Sequence, residues 1–204
     1  MPAPETILPS TGHPALGHLN LMVDTFIANA TIEDLRATIR GMLVSGLPGV
    51  SATFCTLARE RLQQGGAPPS VGVSYFATTM PGGSVRPTHR LHDALARARS
   101  FYGAGLGFNS LEVLSSIVKS TVPLRWESEG EMADIMVVID ADIGQALQSC
   151  REEIEAGRVK DAEYARSALQ NLRRAVETSH AEVEFWGGEI PFERASTSIE
   201  FLKI

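Results

Sequence analysis

The feature that most limits how this chain can fold is a near-heptad repeat of apolar residues in its C-terminal third. The repeat advances in alternating steps of four and three residues, through Ala165, Leu169, Leu172, Val176, Ser179, Val183 and Trp186. This spacing keeps one side of a helix facing a partner over several turns. The sequence therefore predicts a long helix that ends where Gly187, Gly188 and Pro191 interrupt the pattern.

A second long apolar stripe precedes the repeat and predicts its partner. The stretch from about Glu129 to Ala156 places seven residues on one side of a helix, namely Ile135, Ile139, Ile143, Ala146, Leu147, Cys150 and Ile154. Gly157 then favours a helix stop. Two such helices joined by a short turn form an antiparallel hairpin, which we expect over residues 129–186. An extended tail, residues 187–204, is expected to pack back on the body.

Shorter amphipathic segments predict that the rest of the chain is also helical. Apolar residues recur at helical spacing over about 19–27, 31–46, 50–64, 88–102 and 109–121. Asn109, with Glu112 three residues later, resembles a helix N-cap. The segment from 50 to 64 is expected to bury one side, made of Phe54, Leu57, Ala58 and Leu62. The fold class is therefore predicted to be all-α, a single-domain helical bundle.

Two segments lie outside this helical pattern. Residues 1–17 contain four prolines and neither the basic nor the apolar part of a secretory signal, so we expect a flexible N-terminal tail before a domain at 18–204. Residues 71–79 lie between proline- and glycine-rich turns. Val71, Val73 and Tyr75 alternate like a strand without an evident pairing partner, so strand and short helix both remain open.

Charge and cysteine content argue against several classes of protein. Lysines are few and arginines are dispersed, which disfavours a nucleic-acid interface. The longest apolar stretch, Ile135–Ile143, is broken by Asp140 and is far shorter than the roughly 20 residues that a membrane span needs, so no membrane contact is expected. Cys55 and Cys150 form no disulfide framework or Cys-x-x-Cys motif, which indicates a reducing, cytoplasmic location.

Acidic residues are concentrated in one predicted helix. Residues 127–156 carry nine Asp and Glu side chains and a single Arg. We expect this helix to pack beside the arginine-bearing middle of the chain, and an external cationic partner is the alternative. Asp140 and Asp142 lie among Ile, Val and Met on opposite edges of its buried stripe. Asp140 is a candidate acid, base or ligand in an internal pocket, and a boundary carboxylate paired with Arg is the alternative.

Three histidines are further candidates for chemistry. His180 follows Glu177 by three residues and precedes Glu184 by four, and pairing in the hairpin would bring Asp134 to the same level. These four side chains are a candidate metal set, although the doubled Glu-x-x-His pattern of di-iron bundles is absent. His89 and His92 share a face at a helix start and are candidate ligands or bases; an exposed helix opening is the alternative.

The glycines at 103, 105 and 107 precede a predicted helix. A helix also precedes them, and no Lys-Ser/Thr follows, so a turn between helices is favoured over a phosphate-binding loop.

No motif predicts a cofactor or ties a reaction to a set of residues. The leading hypothesis is a helical interaction or structural protein that forms homo-oligomers. One alternative is a small all-α enzyme or binding protein that holds a small apolar ligand, with Asp140, His89, His92 or His180 as polar contacts. The other alternative is a metal-bound helical bundle.

Overall fold

The computed structural model describes residues 14–65, 74–78 and 84–204, and over these residues the protein is all-α, as predicted. Its helices are α1 (Pro14–Asn29), α2 (Ile32–Val44), α3 (Val50–Gln64), α4 (His89–Gly103), α5 (Gly107–Thr121), α6 (Glu131–Glu155), α7 (Ala162–Trp186) and α8 (Glu193–Phe201). Strands β1 (Phe76–Thr78) and β2 (Val85–Pro87) form one antiparallel pair. Among the described helices, none combines the length and the apolar character needed to cross a membrane.

The chain divides into two compact units, residues 1–53 and 54–204. The boundary lies inside α3, whereas the sequence placed the start of its one domain at residue 18. Helix α1 begins at Pro14, within the predicted tail, and residues 1–13 of that tail lie outside the described residues. In the first unit, Thr31 caps α2 through a reciprocal pair of hydrogen bonds with Asp34.

Helix α5 is the centre of the second unit because it packs against α4, α6 and α7. Its side chains at Phe108, Leu111, Leu114, Ile117 and Val118 are almost completely buried. The two long helices are joined by a short connection, as predicted, but both make their main contacts with α5 rather than with each other. The expected direct pairing of the two helices is therefore not seen, because α5 packs against both of them.

The predicted apolar stripes themselves are buried. On α6 the side chains from Ile135 to Cys150 in the stripe lie in the core, and Ile154 is half-buried. On α7 the repeat is buried from Ala165 to Val183. The C-terminal tail packs back on the body as expected, but it contains a helix, α8, instead of being extended throughout.

Two upstream expectations also need correction. Helix α3 has the predicted bounds, but none of its residues is buried, and Phe54 and Leu57 are 40% and 58% exposed. Helical spacing shows that apolar side chains share one side; it does not show that another element covers them. The segment 71–79 contains strand β1, which pairs with β2, a partner that the sequence reading missed. Val71 and Val73 lie outside the described residues.

Candidate functional site

A groove of about 510 Å³ opens at the start of α5 within the second unit. We call it the α5 groove. Its walls come from the second half of α3, the first turn of α5, the end of α6, the α6–α7 connection and the first turn of α7. The side chains that give it chemical character are Arg59, Glu60, Leu106, Phe108, Asn109, Glu153, Arg158, Val159, Lys160, Asp161, Tyr164 and Ala165.

The glycine-rich turn before α5 sets the geometry of the groove. Gly105 has a positive φ of 77°, which suits glycine, and the glycines join two helices as predicted. Gly107, the first residue of α5, lies against the backbone of Cys150 on α6. A Cβ atom at Gly107 would be only 2.4 Å from the Cys150 nitrogen. This close approach places Glu153, about one turn further along α6, at the N-terminus of α5.

Glu153 is a buried carboxylate that caps α5. Its Oε2 accepts the backbone N–H of Phe108 at 3.4 Å. Burial raises the pKa of the Glu153 carboxyl, and the N–H groups of Phe108 and Gly107 and the charges of Arg158 and Arg59 offset that rise only in part. The predicted cap, Asn109, instead donates its side-chain amide to the Tyr164 hydroxyl at 3.1 Å. Sequence reasoning missed Glu153 because this cap comes from a different helix, 45 residues away.

We expect Glu153→Gln to alter how stability depends on pH. The folded state raises the pKa of Glu153, so its stabilising proton is present below the ordinary glutamate pKa of 4.5 and is lost as pH rises through the folded-state value. Glutamine keeps an acceptor for the Phe108 N–H without this loss. The free energy of unfolding of the variant, relative to wild type, should therefore increase with pH and then level off.

Urea unfolding between pH 4 and pH 8, at roughly 1-unit steps, measures this effect. Glu155→Gln is the matched control, because Glu155 is exposed two residues further along the same helix. The control should keep a nearly constant offset from wild type. A wild-type protein that gains stability relative to Glu153→Gln as pH rises would contradict the prediction.

Asp140 and Asp142 have structural partners on different sides of α6. Asp142 is buried and accepts hydrogen bonds from Arg99 and from the Tyr102 hydroxyl, so the acidic helix does pair with the arginine-bearing middle of the chain. Burial, followed by the hydrogen bond to Asp142, raises the pKa of Tyr102. Asp140, the predicted candidate, is half-buried and accepts the backbone N–H of Ala195 at 2.9 Å, near the start of α8.

The candidate histidines lie on two helices, His89 and His92 at the start of α4 and His180 on α7. His89 is exposed and lies 3.5 Å from Asp93, one turn along α4, and His92 is exposed as well. His180 is half-buried, and its Nε2 lies 2.6 Å from the Pro191 carbonyl oxygen. His89 and His92 are thus exposed in the first turn of a helix, which was the alternative expected from the sequence.

The proposed metal set is not assembled. Over the residues that the structure describes, no three His, Cys, Asp or Glu side chains form a group that could hold a metal ion. Glu177 and Glu184 are exposed on α7, and Asp134 is exposed on α6. Asp134 could join the three side chains of α7 only if α6 and α7 paired directly, and α5 packs against both helices instead.

The predicted pocket residues do not line the cavities seen here. Besides the α5 groove, one cavity lies beside Trp126 and another lies between α7 and α8. None of these three is lined by any of the predicted polar contacts, Asp140, His89, His92 and His180. A small-molecule function at these cavities therefore depends on other side chains, and the sequence offered no motif for them.

The first unit presents a different kind of candidate site. From residue 22 to residue 53, the part of this unit whose side chains are described, no residue is buried. The exposed large apolar side chains are Met22, Val23, Phe26, Ile27, Ile32, Ile39, Met42, Val44 and Leu47. We call this set the N-terminal apolar face. Phe26 is 47% exposed, and Met22 lies one turn before it on α1.

The two candidate sites suit different kinds of partner. The α5 groove is concave and carries charged and apolar side chains, which is typical of small-molecule sites. The N-terminal apolar face has the exposed apolar side chains typical of surfaces that contact other macromolecules. No protein-family model, curated protein or solved structure matches this chain.

Proposed function

We propose that this chain is an interaction or structural protein that self-associates through its N-terminal apolar face. The observation that carries the proposal is the exposure of nine large apolar side chains on a unit with no buried residue in its described part. Burying one such side chain contributes about 1.5–3 kcal/mol. An interface that covers several of them therefore has enough favourable energy to offset the cost of association.

The arrangement of the face on α1 and α2 suits association of helices. On α1, Met22 and Phe26 are four residues apart, as are Val23 and Ile27, so the four side chains share one side. On α2, Ile32 and Ile39 are two turns apart. Apolar stripes with this spacing pack against helices that carry a similar stripe.

The charges of α2 favour a second copy of the chain as the partner. Glu33 and Asp34 lie in its first turn, and Arg36 and Arg40 follow near its middle. Glu33 already pairs with Arg36 of the same helix at 2.6 Å. In an antiparallel pair of α2 helices whose twofold axis passes near residues 36 and 37, Arg40 of each copy would lie near Glu33 and Asp34 of the other. A twofold-symmetric interface uses the same patch on both copies, so an apolar face flanked by balanced charge is complementary to itself.

We expect Phe26→Asp to convert the oligomer into monomers. The substitution removes an apolar contact and introduces a charge into the interface, and it does so twice in a symmetric dimer. The dissociation constant should therefore rise by about a hundredfold or more. Native mass spectrometry and sedimentation equilibrium of the full chain, over a range of concentrations, measure the change.

Phe185→Asp is the matched control for this experiment. Phe185 is on α7 in the second unit and is 82% exposed, so the same exchange is made at an exposed site outside the N-terminal apolar face. Its mass distribution should equal that of wild type. A wild-type chain that stays monomeric at about 100 µM would contradict the proposal, because an interface with a micromolar dissociation constant is largely formed at that concentration.

The cytoplasmic location belongs to the same proposal. Cys150 is a free, fully buried thiol, and burial raises its pKa, which keeps it protonated and unreactive. Cys55 is also free. Two unpaired cysteines without a disulfide are consistent with a reducing compartment.

A further inference from the structure

We propose that the α5 groove binds a small organic acid, a molecule with one carboxylate and an apolar body. The acid group would bind the cationic side chains of the groove, and the body would lie on its apolar floor. This ligand site is independent of self-association, because every residue that lines it belongs to the second unit.

Three cationic side chains line the groove, namely Arg59, Arg158 and Lys160. Arg59 donates two hydrogen bonds, from Nη1 to the Ala104 carbonyl at 3.3 Å and from Nη2 to the Thr56 hydroxyl at 3.1 Å, within a guanidinium that has five N–H donors. Over the described residues, none of the three lies within 4.0 Å of a carboxylate oxygen. None of the three is therefore held in an ion pair, although the charges of Arg158 and Arg59 also act on the Glu153 carboxyl.

Arg158 provides the most specific sign of an anionic ligand. Its Nε is buried and has no hydrogen-bond acceptor among the described residues. Leaving a buried donor unpaired costs about 1–3 kcal/mol, more for a charged group. A carboxylate can accept from two N–H groups of one guanidinium, so an organic acid beside Arg158 would satisfy this donor.

The acidic side chains of the groove limit the charge of the ligand. Glu60, Glu153 and Asp161 line it together with the three cations, so the formal charges balance. Asp161 is occupied as the N-cap of α7, where its Oδ1 accepts the N–H groups of Glu163 and Tyr164 at 2.9 Å. Glu153 also interacts with the charges of Arg158 and Arg59, which reduces the positive potential that a ligand would meet in the groove. That balance favours a monoanion over a polyphosphate.

The apolar part of the lining favours a ligand with a hydrocarbon body. Leu106 and Phe108 are buried at the start of α5, and Ala165 is buried in the first turn of α7. Val159 adds a half-buried side chain from the connection. The volume of about 510 Å³ falls within the roughly 300–1,000 Å³ that is typical of small-molecule sites.

Isothermal titration calorimetry of the full chain with octanoate tests the proposal, with octan-1-ol and inorganic phosphate as comparison ligands. Octanoate has both an acid group and an apolar body, and each comparison ligand lacks one of them. We expect octanoate to bind with a dissociation constant of about 1 mM or below, and each comparison ligand to bind at least about tenfold more weakly. Octan-1-ol or phosphate binding as tightly as octanoate would overturn the proposal.

Arg158→Gln removes the guanidinium, including its charge and the unpaired Nε donor, and Arg151→Gln is its matched control on the exposed surface of α6. Arg158→Gln should weaken octanoate binding about tenfold or more, the size of a lost charged hydrogen bond, while Arg151→Gln leaves it unchanged. Equal affinities of these two variants contradict the site. If thermal unfolding shows that Arg158→Gln does not fold, Lys160→Gln tests the proposal instead, because Lys160 is exposed at the rim of the groove. This variant should bind octanoate about threefold more weakly than wild type. Unchanged binding by that variant overturns the proposal.

Discussion

Replacing Gly107 with alanine is expected to destabilise the protein by about 3 kcal/mol. The new Cβ atom would lie 2.4 Å from the Cys150 nitrogen, 2.7 Å from its Cα and 2.8 Å from its Sγ. Two of these atoms belong to the backbone of α6, so a change of side-chain rotamer cannot relieve the overlap. Helices α5 and α6 would have to separate where the start of α5 contacts α6.

Thermal and urea unfolding measure this loss, which corresponds to a fall of roughly 10 °C in Tm for a chain of this size. Gly144→Ala is the control, because Gly144 is on α6 and a Cβ atom there would meet nothing within 4 Å. The control should gain about 0.5–1 kcal/mol, since alanine favours a helix interior more than glycine does. Equal stability of Gly107→Ala and wild type would contradict the close contact between Gly107 and the backbone of α6.

Removing the carboxylate of Asp142 is expected to cost about 3 kcal/mol. Its oxygens accept from Arg99 Nε at 3.0 Å and 3.1 Å, from Arg99 Nη2 at 2.8 Å and from the Tyr102 hydroxyl at 2.9 Å. Asp142→Ala leaves the Tyr102 hydroxyl without this acceptor. The Arg99 side chain is 48% exposed, so water can solvate part of its charge, which places the cost at the lower end for a buried pair.

Asp134→Ala on the same helix is the control, because Asp134 is exposed in the first turn of α6. Asp134→Ala should lower the free energy of unfolding by less than about 1 kcal/mol, the size of an exposed charge interacting with a helix N-terminus.

Tyr102→Phe removes only the hydroxyl. Its effect on the free energy of unfolding should be non-additive with that of Asp142→Ala by about 1 kcal/mol. Urea unfolding of the single and double variants measures both quantities. Fully additive effects would contradict a direct bond between the two side chains.

The most accurate sequence predictions concern local structure. The spacing of apolar residues located α2 to α7 to within a few residues, because a helix period of 3.6 residues is imposed by backbone geometry, but it missed α8. The cap of α2 is equally local, since Thr31 and Asp34 belong to one turn of chain. The stripe on α6 identified the core-facing residues from Ile135 to Cys150.

The errors concern contacts between distant parts of the chain. Direct pairing of α6 and α7 followed from their short connection, but connection length does not show which third element packs against both apolar stripes. The cap of α5 was assigned to Asn109, a local candidate, whereas Glu153 supplies it from α6. Phe54 was expected to be buried because it lies on the apolar side of its helix. Local spacing does not establish whether another surface covers that side.

The sequence by itself therefore determined the all-α class, the helix positions and the apolar sides of the helices, because these depend on residues a few positions apart. It did not determine the candidate sites. Arg59, Glu153 and Arg158 come from different elements around the α5 groove, and Gly107 allows the start of α5 to contact the backbone of α6 one turn before Glu153. Which apolar sides are covered, and which stay exposed as the N-terminal apolar face does, depends on the packing of whole helices. Only the tertiary structure decided that, since packing energy depends on every surface available to a helix and local periodicity describes one surface at a time.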